Sequence, residues 1–331
     1  MSTKYDVYGL GNALVDLEFK VNDQFLYDHR VKKGLMTLVD EDTQFRLINA
    51  INQVDLVRKS GGSAANSIIA ISQFGGSSFY SCKVSSDEYG DFYLTDMNEA
   101  GVDTNLDGKK RDEGITGKCL VMITPDAERT MNTFLGATTD LSVKEVDERA
   151  IKDSKYVYLE GYLTPSATGV EAMKLAKKIA EENGVKTSIT LSDPSIVQYF
   201  KAQFEDVIGA SVDLLFCNED EAMTFTGANN LDDARQALKK EAKQFAITQG
   251  KNGAIIFDGD TFIDIEPYSV KAVDTNGAGD MFAGAFLYGI TNGMSMAAAG
   301  KLASLASSKV VSQFGPRLKT HEVQRLLHEL K

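Results

Sequence analysis

Apolar residues fall in two rhythms along this chain. From about Asp55 onward, stretches with helical spacing alternate with short apolar runs of strand character. "SAANSIIAISQFGG" predicts a helix closed by Gly75, and "SSFYSCKV" a strand after it. "DEYGDFYLTDMNEAG" predicts a second helix, starting at Asp87 and ending at Gly101. "KYVYLEG" reads as a strand, "GVEAMKLAKKIAEENG" as an amphipathic helix and "KTSITLSDP" as another strand. "VDLLFCNEDEAMTFTG" reads as strand then helix, and "QFAITQG" as a strand. The last two helices are expected from Gly279 to Gly289 and from Ser295 to about Val311. Such alternation predicts an α/β fold, a mostly parallel sheet with helices on both faces.

Two segments break the rhythm. Residues 12–40 ("ALVDLEFKV", then "GLMTLVD") and residues 115–136 ("ITGKCLVMI", then "ERTMNTFL") alternate as β. Both read as antiparallel pairs inserted into the α/β order. They could form a small sheet over one edge of a cleft, as a lid would, or extra edge strands of the main sheet. No repeat, low-complexity tract or Pro/Ser-rich linker divides the chain, so a single α/β domain over 1–331 with a discontinuous β lid is expected.

Composition narrows the function. The 331 residues are 43% hydrophobic and 25% charged, enough for a sizeable core. A net charge of −12 argues against nucleic acid and anionic membrane surfaces as partners. An acidic protein that binds an anionic ligand needs a local device, such as a helix N-terminus or Mg²⁺. Cys82, Cys119 and Cys217 are far apart in strand-like runs without metal-ligand spacing, so buried thiols and a cytoplasmic location are expected. The three histidines lie outside every motif, so a general base should be a carboxylate.

"VDTNGAGDMFAGAF" (273–286) sets glycines and Asp280 before an apolar helix. A helix start leaves N–H groups unpaired at the positive end of the dipole, which suits phosphate. A carboxylate beside a bound anion fits proton acceptance from an attacking hydroxyl. A turn followed by an acidic helix start reads equally well. "SGGSAANSIIA" (60–70) offers backbone amides at Gly61 and Gly62 and a side-chain amide at Asn66, or a simple Gly-Ser helix start. In "CNEDEA", Asn218 and Glu221 share one face of a first turn, which equally describes a capping box. "TQGKNG", Thr248 to Gly253 with Gly250 between, could hold a nucleotide or be a hairpin turn. All sit near predicted strand C-termini, where open α/β sheets bind ligands. "GLGNAL" fails as a dinucleotide fingerprint, because Leu14 stands where Gly is needed and "VDLEFKV" reads as a strand. No Walker A sequence is present.

Together these motifs resemble the ribokinase/PfkB family of carbohydrate and nucleoside kinases, and within it the adenosine-kinase-like members. "GGSAANSIIAISQFGG" looks like the family's first signature and "DTNGAGDMFAGAF" its second. The resemblance implies a nine-stranded Rossmann-like core with a β lid, ATP as phosphoryl donor and Mg²⁺ as cofactor. It implies Asp280 as base, with the amides of Gly277, Ala278 and Gly279 as anion hole. Asn218 and Glu221 would organise Mg²⁺ through water, and Thr248, Gly250 and Gly253 would hold the nucleotide. Asn12, Asp16, Gly61, Gly62 and Asn66 would hold the acceptor's hydroxyls, and lid Arg129 would reach phosphate. K⁺ would be held by backbone near Asp274 and "VVSQFG". For a flat nucleobase, an apolar slot is expected among Leu14, Leu38, Met122, Phe134 and Tyr162. The expected activity is phosphorylation of a nucleoside, adenosine foremost, by a monomer or homodimer. The rivals are a kinase of a free sugar such as ribose or fructose and a catalytically idle nucleotide-binding regulator.

Overall fold

The computed structural model describes residues 3–51, 56–126 and 128–329. Asp55, where the alternation is expected to begin, lies outside the described residues. Fourteen strands form two sheets among the described residues. In chain order they are β1 (Tyr5–Leu10), β2 (Leu14–Lys20), β3 (Met36–Leu38), β4 (Val57–Gly61), β5 (Ser78–Ser81), β6 (Val102–Thr104) and β7 (Thr116–Ile123). There follow β8 (Arg129–Gly136), β9 (Ser154–Glu160), β10 (Lys186–Thr190), β11 (Val212–Asn218), β12 (Ala242–Thr248), β13 (Ala254–Phe257) and β14 (Phe262–Ile265).

The large sheet has nine strands in the order β14-β13-β12-β11-β10-β9-β1-β5-β6. From β12 to β6 every neighbouring pair is parallel, and the hairpin β13–β14 adds on antiparallel. Strands covered on both faces read as unbroken apolar runs, and every residue of β1 is buried. The chain order reverses between β1 and β9, with later strands running to one side and β5 and β6 to the other. That switch point opens a crevice at the strand C-termini.

Helices lie on both faces, each over its own core. One core gathers the helices Ser63–Gln73, Ala278–Thr291 and Met296–Val311 around Ile68, Phe282, Phe286 and Leu302. The other gathers Ala167–Glu182, Pro194–Ile208 and Glu219–Thr226 around Met173, Phe204 and Phe225. Helix boundaries follow local chemistry. Asp87 caps its helix by accepting from the Gly90 N–H, and Gly227 ends another in the left-handed conformation at φ 73°. Among the described residues, six helices lie beyond the pattern's expectations: Asp23–Asp28, Glu41–Ala50, Glu148–Lys152, Pro194–Ile208, Leu231–Ala237 and Thr320–Glu329.

The second sheet has five strands in the order β3-β8-β7-β2-β4 and stands apart from the first. It corrects the expected pairing. β7 and β8 are antiparallel neighbours, as 115–136 suggested. Residues 12–40 form no pair of their own, because the helix Asp23–Asp28 separates β2 from β3. β2 instead runs parallel to β7, and β3 parallel to β8 at the far edge. The outer partner of β2 is β4, "VRKSG", whose polar composition hides a strand held by backbone pairing.

Small residues set how closely the helices approach. A Cβ on Gly284 would stand 2.5 Å from the Ser67 carbonyl oxygen and 2.8 Å from Ala70 Cβ, so Ala278–Thr291 lies directly on Ser63–Gln73. Gly289 would meet Ala299 at 2.8 Å in the same way. Gly284→Val should therefore overpack this contact and cost about 1–3 kcal/mol in chemical denaturation. Gly279→Ala, where a Cβ meets nothing within 4 Å, should leave the midpoint unchanged or raised. Equal stability of Gly284→Val and the parent would contradict this packing.

Candidate active site

The ends of β1, β9, β11 and β12 carry Asn12, Tyr162, Asn218, Glu221, Thr248, Gly250 and Gly253 to the C-terminal edge of the large sheet. At their centre is the start of the helix Ala278–Thr291. Gly277 is its N-cap with φ 75°, and a Cβ there would stand 2.5 Å from Pro316. Glycine is needed at 277 for conformation and for space. Gly279 is different, since its position is open and exposed, so it leaves the backbone accessible from the cleft.

Asp280 sits half-buried in this first turn. Its Oδ1 accepts from Ser63 Oγ at 2.6 Å and its Oδ2 from Asn66 Nδ2 at 3.0 Å. Burial pushes the carboxyl up to about 6, and these two donors pull against the rise. An ionised carboxylate only accepts, so Asn66 must turn its NH₂ toward it. That leaves Asn66 Oδ1 buried with no partner among the described residues. A buried acceptor of this kind is costly unless a ligand donates to it.

Asp16, on β2, faces the space beside Gly61. A Cβ on Gly61 would stand 2.5 Å from the Asp16 carboxylate, so glycine there makes room for it. Among the described residues no hydrogen-bond donor reaches that carboxylate, and burial pushes it up to about 7. Arg317, Lys59 and Arg129 pull it down, and Glu18 adds to the rise. Gly62, with φ 112°, lets the Asn12 carbonyl approach to 2.3 Å of where a Cβ would lie. Asn12 itself is spent on the protein. Its amide donates to the Tyr162 carbonyl at 3.3 Å, and its Oδ1 accepts from Thr138 at 3.0 Å. Tyr162 is half-buried just after β9.

Sequence reasoning missed Glu160, the last residue of β9. It is 1% exposed and accepts from the backbone N–H groups of Asn12 and Ala64. It therefore clamps the loop after β1 to the helix Ser63–Gln73. Burial pushes it up to about 7, the two amides pull it down and Asp280 adds to the rise. Only its position at a strand end, in "YLEG", could have signalled it.

On the other side of the same helix start lies a cavity of about 630 Å³. Thr248, Gly250, Lys251 and Gly253 form one wall, and Ala278, Gly279 and Phe282 another. Residues from Pro267 to Ala272 and Ser304 to Val311 complete it. The segment "TQGKNG" forms the β12–β13 turn and also lines this cavity. Lys251 brings a positive charge that the sequence reading did not single out.

Asn218 and Glu221 form their capping box. Asn218 Oδ1 accepts from the Glu221 N–H at 2.8 Å, and Glu221 Oε2 from the Asn218 N–H at 3.0 Å. Burial pushes Glu221 up to about 7, and nearby Asp193 and Asp220 add to the rise, an environment that a nearby cation would relieve. No cluster of three or more His, Cys, Asp or Glu among the described residues could cage a metal. These residues fit a divalent ion that arrives with a phosphate and is touched through water.

Arg129 and Asp274 are engaged with each other. Arg129 Nη1 lies 2.9 Å from Asp274 and Nη2 3.4 Å from Glu18, and it does not line the 630 Å³ cavity. Asp274 also accepts from the backbone N–H groups of Asn276 at 3.0 Å and Gly315 at 2.8 Å. These contacts occupy the Asp274 carboxylate, whereas the K⁺ expectation rests on backbone near it. The 273–274 backbone does meet "VVSQFG", but as donors to the Val311 carbonyl. The slot candidates also divide. Met122 is fully buried as core. Leu38 and Phe134 line a separate cavity of about 850 Å³, and Leu14 is half-buried beside the site.

Comparison with known proteins gives this geometry a context. Residues 34–322 match the pfkB family carbohydrate kinase domain. The chain resembles a crystal structure of a probable sugar kinase from Rhizobium etli, with a TM-score of 0.88 and 33% identity, covering 99% of this chain and 98% of that one. It is equally close to the adenosine kinase from Sinorhizobium meliloti, with a TM-score of 0.88, 32% identity and coverage of 99% and 100%. Adenosine kinase 1 of Arabidopsis thaliana is 27% identical, over 93% of this chain and 94% of that protein. With the nine-stranded core and five-stranded second sheet on the page, the chain belongs to the PfkB family of carbohydrate kinases, phosphotransferases with an alcohol acceptor, as a nucleoside or sugar kinase.

Proposed function

We propose that the protein transfers the γ-phosphoryl group of ATP to a nucleoside, most specifically to the 5′-hydroxyl of adenosine. One observation carries this reading. A single helix start faces two ways, with the open backbone at Gly279 toward the 630 Å³ cavity and Asp280 toward Ser63 and Asn66. Donor and acceptor can meet there, across one carboxylate.

The roles follow from the atoms. ATP occupies the cavity between Thr248–Gly253 and Ser304–Val311, its terminal phosphate against the N–H groups of Gly277, Ala278 and Gly279. The acceptor's ribose diol donates to the unpartnered Asp16 carboxylate, with Gly62 and Asn66 beside it. Asp280 orients the attacking hydroxyl and takes its proton late in the transfer. Asn218 and Glu221 would hold Mg²⁺ through water, and the ion would supply charge neutralisation at the transferred phosphate. The five-stranded sheet acts as a lid that excludes water. Arg129 ties that lid to the catalytic loop through Asp274. Leu14 and Tyr162 offer apolar surface to the base.

A free sugar is the second reading, favoured by the likeness to the Rhizobium etli probable sugar kinase. Offering ATP with adenosine, ribose and fructose separates the two. Adenosine should give the highest kcat/KM, and Asp16→Ala should abolish most of that activity. Efficient transfer to a free sugar with adenosine inert would overturn the nucleoside assignment. Asp280→Asn should lower turnover by roughly 10²–10⁴ while ATP binding survives, and near-parental turnover would sink the base assignment.

The pH profile supplies an independent check. Asp280 must be ionised to accept a proton, and burial raises its carboxyl to about 6. Activity should therefore be lost as pH falls through about 6, rather than near the ordinary carboxylate value of about 4. An acid limb near 4 would mean that another group carries the proton.

A further inference from the structure

The mechanism leaves Ser63 without a role, yet it makes the shorter of the two hydrogen bonds to the base. Ser63 opens the helix after Gly62, half-buried, and points its hydroxyl at Asp280 Oδ1 across 2.6 Å. Asn66 holds the other oxygen at 3.0 Å. Both oxygens of the base are thus capped by the protein's own donors. Each oxygen keeps a further lone pair, but every hydrogen bond it accepts lowers its proton affinity, so the base strengthens when one donor gives way.

The two donors differ in how easily they can leave. Asn66 is 6% exposed and locked inside its helix, with Ala64, Ala65, Ser67 and Ile68 buried around it. Ser63 carries a hydroxyl on a single rotatable side-chain bond, next to the open cleft. It is also an alcohol, the same functional group as the acceptor. We infer that Ser63 is a positioning residue whose hydroxyl stands in for the acceptor hydroxyl on Asp280 in the free enzyme, and rotates away when the acceptor binds. This rests on the kinase reading above. While Ser63 is in place, Oδ1 is a weaker base toward water, so a water beside bound ATP is poorly activated. The acceptor displaces one hydroxyl with another, so the base is never left uncapped. Asn66 Oδ1, the buried acceptor without a partner, then has a hydroxyl within its helical turn to receive.

The test separates free enzyme from complex. The acid limb of kcat/KM reports the free enzyme, and that of kcat reports the bound complex. In Ser63→Ala the limb of kcat/KM should move up by about one pH unit, because a hydrogen bond to the charged form is lost. The limb of kcat should stay in place. ATP hydrolysis without acceptor should rise about tenfold relative to transfer. Ser63→Thr, which keeps the hydroxyl, should restore both. If Ser63→Ala does not fold, Ser63→Cys, a weaker donor of similar size, should show the same split in smaller degree. Both limbs moving together would mean that the contact persists in the complex and would overturn the inference. Unmoved limbs with unchanged hydrolysis would overturn it as well. Neither result touches the kinase reading, which fails only if the parent protein transfers phosphate from ATP to no nucleoside or sugar.

Discussion

Everything at this site depends on the contact between the helices Ser63–Gln73 and Ala278–Thr291. Contacting helices lie about 8–10 Å apart depending on the side chains between them, and small residues allow the closer approach. At Gly284 there is no side chain, and the Ser67 carbonyl occupies the space that a Cβ would take. The two N-termini then converge, and Ser63 and Asn66 of one helix reach Asp280 of the other. Neither signature makes a site alone. One brings the carboxylate and the open amides, the other brings the donors that aim the carboxylate.

The electrostatics follow from that convergence. Asp16, Glu160, Glu221 and Asp280 are all carboxyls that burial has pushed upward. Removing carboxylates from water is unfavourable, and the cost is usually met by buried cations. Here much of the compensation is backbone N–H, at Glu160 from the loop after β1 and the helix Ser63–Gln73, and at Glu221 from its capping box. Among the described residues Asp16 is left without a hydrogen-bond donor, in a chain of net charge −12. A site of this kind is unfavourable while empty and gains when hydroxyl donors and a metal-bound phosphate fill it.

The sequence carried the local part of this. The glycines at 277 and 279, the Asn218–Glu221 pair and the Thr248–Gly253 turn are each set by short-range geometry, and spacing alone made them visible. It left open whether they were structural or functional, and at Asn218 and Glu221 the capping box forms outright. Asp16 came from the family resemblance, since nothing in "LVDLEF" marks it apart from other polar strand positions. Contacts between distant segments were hidden. No pattern in "VRKSG" foretold that β4 would close the second sheet, and nothing in "ERTMN" that Arg129 would pair with Asp274. Glu160 and Ser63 were hidden for the same reason. Their roles exist only once three segments of the chain meet.

The central claim is that one helix start holds the transferred phosphate and the base that receives the acceptor's proton. A crystal structure with adenosine and a non-hydrolysable ATP analogue tests it most directly. The account predicts the terminal phosphate on the Gly277–Gly279 amides, the ribose diol on Asp16, and the 5′-oxygen about 3 Å from an Asp280 that Ser63 has released. A ternary complex with the acceptor hydroxyl turned away from Asp280, or the phosphates bound outside the cavity beside Gly279, would contradict it.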